Sequence, residues 1–390
     1  MAERYLNTDG PKTVVRKRII KEKPHVQRVH VGYRGGIDMI VVLCLILLVT
    51  IGIVMVFSSS YYEAGKDGDM YSFAFRESVF ALAGGVVASI FSFIPYSKFN
   101  NIRLCLIAYA VSIVLLILVL FIGKEVGGAK RWLFGFQPSE VAKVILIVTL
   151  ACLASKRREL LTTFFGSFIY MAVLAVPAAL TAIENLSTAI VMGVSGLAMY
   201  FIATENLLYP LPYTLAAILA VAVKIFSEGF RVGRIKAWLD PSSTDTGYQI
   251  LQSLYSVASG GFFGLGLGAS RQKLGFLPEA HNDIIFAVIC EELGTFGALI
   301  VAMLFIILVW RGFVIALRHK YDTFAVMVAT GFTTMIAAQA VMNMAVVTNT
   351  MPNTGIPLPF ISYGGSSLMV MLAAMGMLLN ISRYRKANNK

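Results

Sequence analysis

Residues 38–57 read DMIVVLCLILLVTIGIVMVF, and after Asp38 the run carries no charge. At a rise of 1.5 Å per residue it is long enough to cross a hydrocarbon layer about 30 Å thick. Runs of the same kind recur along the chain. They predict ten spans, at 38–57, 76–95, 102–123, 138–154, 164–183, 186–203, 208–226, 284–310, 321–347 and 361–381. With 57% hydrophobic residues, 14% charged residues and a mean hydropathy of +0.76, an ordinary soluble domain is excluded. A membrane β-barrel is excluded too, because it would show short alternating segments instead of long apolar runs. The expected fold is an all-α polytopic membrane protein: a basic tail over 1–36, a transmembrane domain over 37–382 and a short basic tail over 383–390.

The net charge of +12 sits in the tails and loops, which reads as topology and gives no reason to expect a nucleic-acid partner. With the N-terminus inside, the inner segments hold Lys98, Arg103, Lys156, Arg157, Arg158, Arg311, Arg318 and Lys320. Counting both tails, 21 of the 33 Lys and Arg fall on that side. The expectation is a bacterial cytoplasmic membrane protein with both termini cytoplasmic. The segments 58–75, 124–137, 227–283 and 348–360 then lie outside. The long segment 227–283 mixes apolar and charged residues, which points to interfacial or re-entrant helices and not a soluble domain. Cys44, Cys105, Cys152 and Cys290 fall in or at the edge of apolar runs without CxxC spacing and read as small buried residues.

The chemistry-bearing residues concentrate on that outer side. Residues 260–294 read GGFFGLGLGASRQKLGFLPEAHNDIIFAVICEELG: a glycine-rich stretch, then the cations Arg271 and Lys273, then Glu279, His281 and Asp283 at the start of an apolar span. A carboxylate at the lip of a membrane helix beside cations suits proton transfer at a bilayer surface. Lys130 and Arg131 precede another span, which carries Glu140 and Lys143 on one helix face. Each of those charges costs about 2.5–3.5 kcal/mol at a helix centre, so the two must pair or line a polar cavity. Glu279 also reads as ordinary helix-start chemistry, and His281 as a plain polar loop residue. Glu291 and Glu292 read as structural groups, one of them capping a neighbouring loop through hydrogen bonds. There is no His cluster or dense carboxylate set, so a metal site built by the protein alone is not expected.

Together with GAKRW (128–132), QPSE (137–140) and GIPLPFISYGGSS (355–367), these motifs resemble the SEDS family of bacterial shape, elongation, division and sporulation proteins over the whole chain after the tail. The run GLGASRQK (266–273) is nearer the FtsW-type division branch and its SpoVE relative than the RodA branch. The resemblance implies a peptidoglycan glycosyltransferase that polymerises lipid II, with Asp283 as general base. It implies Lys130, Arg131, Glu140, Lys143, Arg271, Lys273, Glu279 and His281 around the substrate. It also implies a class B penicillin-binding protein and other divisome or elongasome membrane proteins as partners. No organic cofactor is expected, and a divalent cation, Mg or Mn, would arrive with the lipid diphosphate. Two alternatives stay open on the sequence: a lipid II flippase and a non-catalytic scaffold of the division machinery. The chain departs from the family pattern at Asn282, commonly Thr, at Ile284, commonly Phe, and at Cys290, commonly Gly. It also has Glu184-Asn185 where the family carries an acidic turn motif, which leaves the role of that turn in doubt.

Overall fold

The computed structural model describes residues 33–66, 69–126, 129–204, 206, 208–242 and 247–385. Residues 1–32 of the basic tail and 386–390 of the short tail lie outside the described residues. The chain forms α1 (Met39–Lys66), α2 (Ser72–Phe93), α3 (Ile102–Ile122), α4 (Pro138–Lys156), α5 (Glu159–Thr162), α6 (Phe164–Glu184) and α7 (Leu186–Ala203). Then follow α8 (Leu211–Phe226), α9 (Gly229–Leu239), α10 (Tyr248–Ser259), α11 (Ile285–Arg318), α12 (Thr323–Val347) and α13 (Gly365–Arg383). All ten expected spans are helices. Among the described residues nine are long and apolar enough to cross a membrane. The remaining one, α8, has 16 residues and no buried side chain. At about 24 Å it is shorter than a full crossing.

Helix ends follow local chemistry. The side chains of Asn101, Thr163, Asn185 and Asp322 accept hydrogen bonds from first-turn amides of α3, α6, α7 and α12, and Pro138 opens α4, where its missing N–H costs nothing. Several expected boundaries shift by a few residues: α2 begins at Ser72 and α13 at Gly365, and two shifts are larger. The loop expected from 58 begins only after Lys66, and the eighth span runs on to Arg318. Both extensions carry residues that bond to other elements: Ser58 and Glu63 in α1, Arg311 in α11.

The spans alternate in direction and so define two ends. At the terminal end, β1 (Tyr33–Arg34) pairs antiparallel with β4 (Tyr384–Arg385), and Asp38 forms an ion pair with Arg311 and donates its backbone N–H to Ser382 Oγ. At the loop end lie the hairpin β2 (Lys124–Val126) and β3 (Ala129–Trp132), α9, α10, the glycine-rich segment and residues 348–364. Most of α12 is buried, whereas α2 buries only Glu77, Gly84 and Ser92, so α12 is the axis of the bundle and α2 lies at its edge. The interior of α12 is not purely apolar: Thr330, Thr333, Gln339 and Asn343 are all buried there.

Two backbone approaches bring the loop end inward. α11 breaks at Gly294, whose φ of 68° is left-handed. A Cβ there would stand 2.3 Å from Gly264 N and 2.4 Å from Phe262 O, so only glycine admits the docking segment. The segment is bonded at both sides of the break, with Leu265 N on Glu291 O, Gly266 N on Glu292 O, Thr295 N on Gly261 O and Phe296 N on Phe262 O. The second approach is at Gly52 of α1, where a Cβ would lie 2.5 Å from Phe360 O. Residues 358–362 therefore reach into the bundle, to about 20 Å from the start of α1.

Candidate active site

Asp283 sits two residues before α11, half-buried, where three chain segments converge. Its carbonyl accepts a 2.6 Å bond from Asn343 Nδ2 of α12, and its Oδ1 is fully buried without a hydrogen-bond partner. Burial pushes its carboxyl up to about 6, and the negative charge of Glu279 adds to the rise. The Arg234 and Arg131 guanidiniums pull the other way. Asp283 is ionised at neutral pH yet more basic than an ordinary carboxylate, a setting suited to a base.

The cations come from two elements. Arg131 lies in β3 of the β2–β3 hairpin, and its guanidinium forks onto the carbonyl of Glu184 with Nε at 3.2 Å and Nη2 at 3.1 Å. The Glu184 carboxylate accepts the backbone N–H of Lys130 at 2.9 Å. Arg231 and Arg234 lie one turn apart on α9 and donate to the carbonyls of Ala182 and Asn353, each at 3.2 Å. Trp238 Nε1 and Asn349 O fix the far end of α9 at 2.9 Å. Arg131, Glu184, Asn185, Arg231, Arg234 and Asn353 share the wall of a cavity of about 370 Å³, with an apolar side from Ile183, Leu186, Ile225 and Met351. A smaller cleft lined by Lys130, Arg131, Ser139 and Glu184 adjoins it. Asp283 stands beside this cavity and not on its wall, within electrostatic reach of Arg131 and Arg234. Arg231 Nη1 and Thr354 Oγ1 are, like Asp283 Oδ1, buried and unpaired. Buried polar atoms rarely stay unpaired unless a ligand or water completes them.

The other expected site residues separate into three places. Arg131 belongs to the cavity and Lys130 to the adjoining cleft. Glu279, exposed with φ of 54°, and buried His281 flank Asp283. Glu279 is bonded to Asn282, and His281 Nδ1 lies 3.4 Å from Glu63 with its ring against Phe73 and Tyr363. Burial pushes the His281 imidazole down, against the opposite pull of Glu63 and Glu279. Glu140 and Lys143 form the expected pair in α4, both buried, with Nζ and Oε1 2.9 Å apart and Ser367 Oγ donating to Glu140 Oε2 at 2.8 Å. The structure does not bring Lys273 or Arg271 to Asp283. Lys273 is buried, with Nζ 2.7 Å from Glu292 and 2.8 Å from Ser58. Arg271 is exposed, and its backbone N–H donates to Glu291. Glu291 and Glu292 hold the loop, as their position suggested. Ser270 Oγ donates to Glu291 at 2.5 Å and Gly268 N to Glu292 at 3.0 Å.

Sequence reasoning passed over Arg231, Arg234 and Asn343 as site residues. The arginine pair carried a usable signal, the i, i+3 spacing of two cations in a short polar helix. Asn343 carried a weaker one, a polar amide inside an apolar span. Glu184, whose role the sequence left in doubt, is the anchor of Arg131. Among the described residues no three His, Cys, Asp or Glu side chains group as a metal-binding set.

The profile of the FtsW/RodA/SpoVE family, described as cell cycle protein, matches residues 38–387. The chain belongs to this family. It is 40% identical to a probable peptidoglycan glycosyltransferase FtsW of Geobacter sp. (strain M18), over 89% of this chain and 97% of that one. It is 37% identical to stage V sporulation protein E of Bacillus subtilis (strain 168), over 90% and 98%. Among solved structures, a chain from work on the structural coordination of polymerization and crosslinking by a peptidoglycan synthase complex superposes with a TM-score of 0.74. It is 26% identical, covering 90% of this chain and 99% of that one. The rod shape determining protein RodA of Thermus thermophilus superposes with a TM-score of 0.65 at 25% identity, covering 90% and 98%. The FtsW/RodA/SpoVE match spans all the helices that build the cavity, so the site belongs to the family's shared domain.

Proposed function

We propose that this chain is a peptidoglycan glycosyltransferase that polymerises lipid II at the outer face of the cytoplasmic membrane, with Asp283 as general base. The observation that carries this reading is the raised, incompletely bonded carboxylate beside a cavity walled by three arginines. The Lys and Arg distribution supports an orientation with the termini in the cytoplasm and the loop end outside. The relatives named as glycosyltransferases support the reaction class.

In the proposed step the Asp283 carboxylate takes the proton of an acceptor sugar hydroxyl. The oxygen forms a bond to the donor's anomeric carbon, and the bond from that carbon to the diphosphate oxygen breaks. A base so placed contributes typically about 10²–10⁴-fold. The leaving undecaprenyl diphosphate carries the electron pair, and Arg131, Arg231 and Arg234 supply the positive charge it needs. Such preorganised charge is usually the largest catalytic contribution. The apolar side of the cavity, and α8 with no buried residue, suit a polyprenyl chain entering from the bilayer. A divalent cation is assigned to the substrate diphosphate. The gap between Asp283 and the cavity wall is to close when substrate binds, as catalytic contacts commonly tighten in the complex. Glu140–Lys143 is proposed to support the site through Ser367 and the segment that leads back to Asp283. A class B penicillin-binding protein is the proposed partner, a reading supported by the superposition on a chain from a peptidoglycan synthase complex that coordinates polymerization and crosslinking.

The test is purified protein with labelled lipid II in detergent, where flipping has no meaning. Glycan strands from the wild type and none from Asp283→Ala are expected. Polymer from Asp283→Ala at the wild-type rate, or none from folded wild type with its partner, would overturn the reading in favour of flipping or scaffolding.

A further inference from the structure

Asn343 bonds two loops with one side-chain amide. Both hydrogens of its Nδ2 are used, one on the carbonyl of Asp283 at 2.6 Å and one on the carbonyl of Ile356 at 2.8 Å. The residue is 1% exposed, and its Oδ1 is buried without a partner. Turning the amide over would set that oxygen against two carbonyl oxygens, so the orientation is fixed by the partners. Neither carbonyl needs this bond to complete a helix, since Asp283 and Ile356 both lie outside α11 and α13.

The second loop is itself part of the site. Asn353 O accepts Arg234, Thr354 O accepts Ser187 Oγ at 3.1 Å, and Gly355 follows with φ of 61°. A Cβ on Gly355 would stand 3.4 Å from Asp283 Oδ2, so this backbone lies directly against the carboxylate. Residues 353–356 thus form a collar that touches the arginine helix on one side and Asp283 on the other. The amide of Asn343 is the link between that collar and the Asp283 backbone.

We infer that Asn343 is a positioning residue for the glycosyl transfer: it holds the Asp283 loop and the 353–356 collar in register, so that the carboxylate faces the arginine-walled cavity. The inference rests on the reading of Asp283 as the base. Holding a reacting group in place matters steeply, since a displacement of about 1 Å can cost on the order of 100-fold in rate. The charges that face Asp283 are Glu279 on its own loop, Arg131 on β3 and Arg234 on α9. A shift of the loop changes its distance to each of them, which makes the acidic limb of the pH–rate profile a reporter of position.

The experiment compares wild type, Asn343→Leu, Asn343→Ser and Asp283→Asn in lipid II polymerisation between pH 5 and pH 9, beside thermal unfolding of each. Asn343→Leu keeps the volume and removes the donors. It is expected to lower kcat by roughly 10- to 100-fold with KM within about threefold, and to move the acidic limb below that of the wild type as the loop relaxes toward water. Asn343→Ser keeps one donor and leaves room for a water, so it is expected to fall between. A lower unfolding midpoint with kcat and the acidic limb unchanged would reduce Asn343 to a structural residue and overturn the inference. Should the leucine variant fail to fold, the serine variant decides on the same two readouts. Asp283→Asn separates the premises. If it is inactive while both Asn343 variants match the wild type, the positioning role alone is wrong. If it is as active as the wild type, the base reading falls, and this inference with it.

Discussion

Asp283 and Glu292 lie close together in the chain, on either side of the first turns of α11, and their surroundings are opposite. Glu292 is completely enclosed and completely bonded: Ser58 Oγ, Lys273 Nζ and Gly268 N all donate to it, and Glu291 beside it takes Ser270 Oγ and Arg271 N. Asp283 keeps one oxygen buried and unpaired, with Arg131 and Arg234 near it but bonded to main-chain carbonyls instead. A saturated cluster has nothing left to offer a ligand and fastens a loop. An unsaturated one keeps charge and donors available. The two clusters set a buried carboxylate with all its partners supplied against one with an oxygen left over, which is the contrast the proposed chemistry at Asp283 rests on.

The sharpest way to break this contrast is at Asp283. Asp283→Ala is expected to lower polymerisation by about 10²–10⁴-fold, read as glycan strands from labelled lipid II. Its stability should move the other way. The folded-state carboxyl is raised from 3.8 to about 6, so its contribution to stability is present below about pH 4 and lost as pH rises through about 6. Asp283→Asn should therefore be more stable to unfolding than the wild type at pH 8, by on the order of 2–3 kcal/mol, with the gain gone at pH 4. Wild-type activity should fall as pH drops through about 6.

At the other cluster, Lys273→Met leaves Glu292 buried and short of its cation. A loss of about 3–5 kcal/mol is expected, measured as a lower unfolding midpoint, while turnover per folded molecule stays within a few-fold. A selective loss of turnover with an unchanged midpoint would place Lys273 with the substrate after all. Next in size, Arg234→Ala should reduce kcat/KM by roughly 10- to 100-fold, the worth of a charged hydrogen bond. It should also move the acidic limb to higher pH, because Arg234 holds the Asp283 carboxyl down. The smallest effect is expected at Gly52→Ala, whose methyl meets Phe360 O. Overpacking of this kind costs about 1–3 kcal/mol, seen in thermal unfolding with the collar region loosened.

Much of the fold was legible because membrane spans announce themselves by length and apolarity, and each of the ten expected segments is a helix. The Glu140–Lys143 pair was legible for a related reason: two opposite charges on one face of an apolar helix have few affordable arrangements. Asp283 was legible through the motif around it. Lys273 was expected around the substrate and is found bonded away from Asp283, because proximity in sequence to Asp283 says nothing about which way a loop turns. Its partners, Ser58 and Glu292, come from α1 and α11. Arg231 and Arg234 were passed over for the converse reason, since only the folding of α9 against the 349–353 segment turns two loop cations into a cavity wall.

From the sequence alone came the ten apolar spans, the all-α membrane class, the family and the carboxylate around which the proposed chemistry turns. These depend on hydropathy and short motifs, which are local properties of the chain. Which cations meet Asp283, which charges are used up in holding loops, and the bridge from Asn343 to Asp283 and Ile356 were settled only by the tertiary structure. Those contacts join segments from α1, β3, α9, α12 and the 353–356 collar, and hydrogen-bond partners across such separations are chosen by packing, which no local pattern encodes.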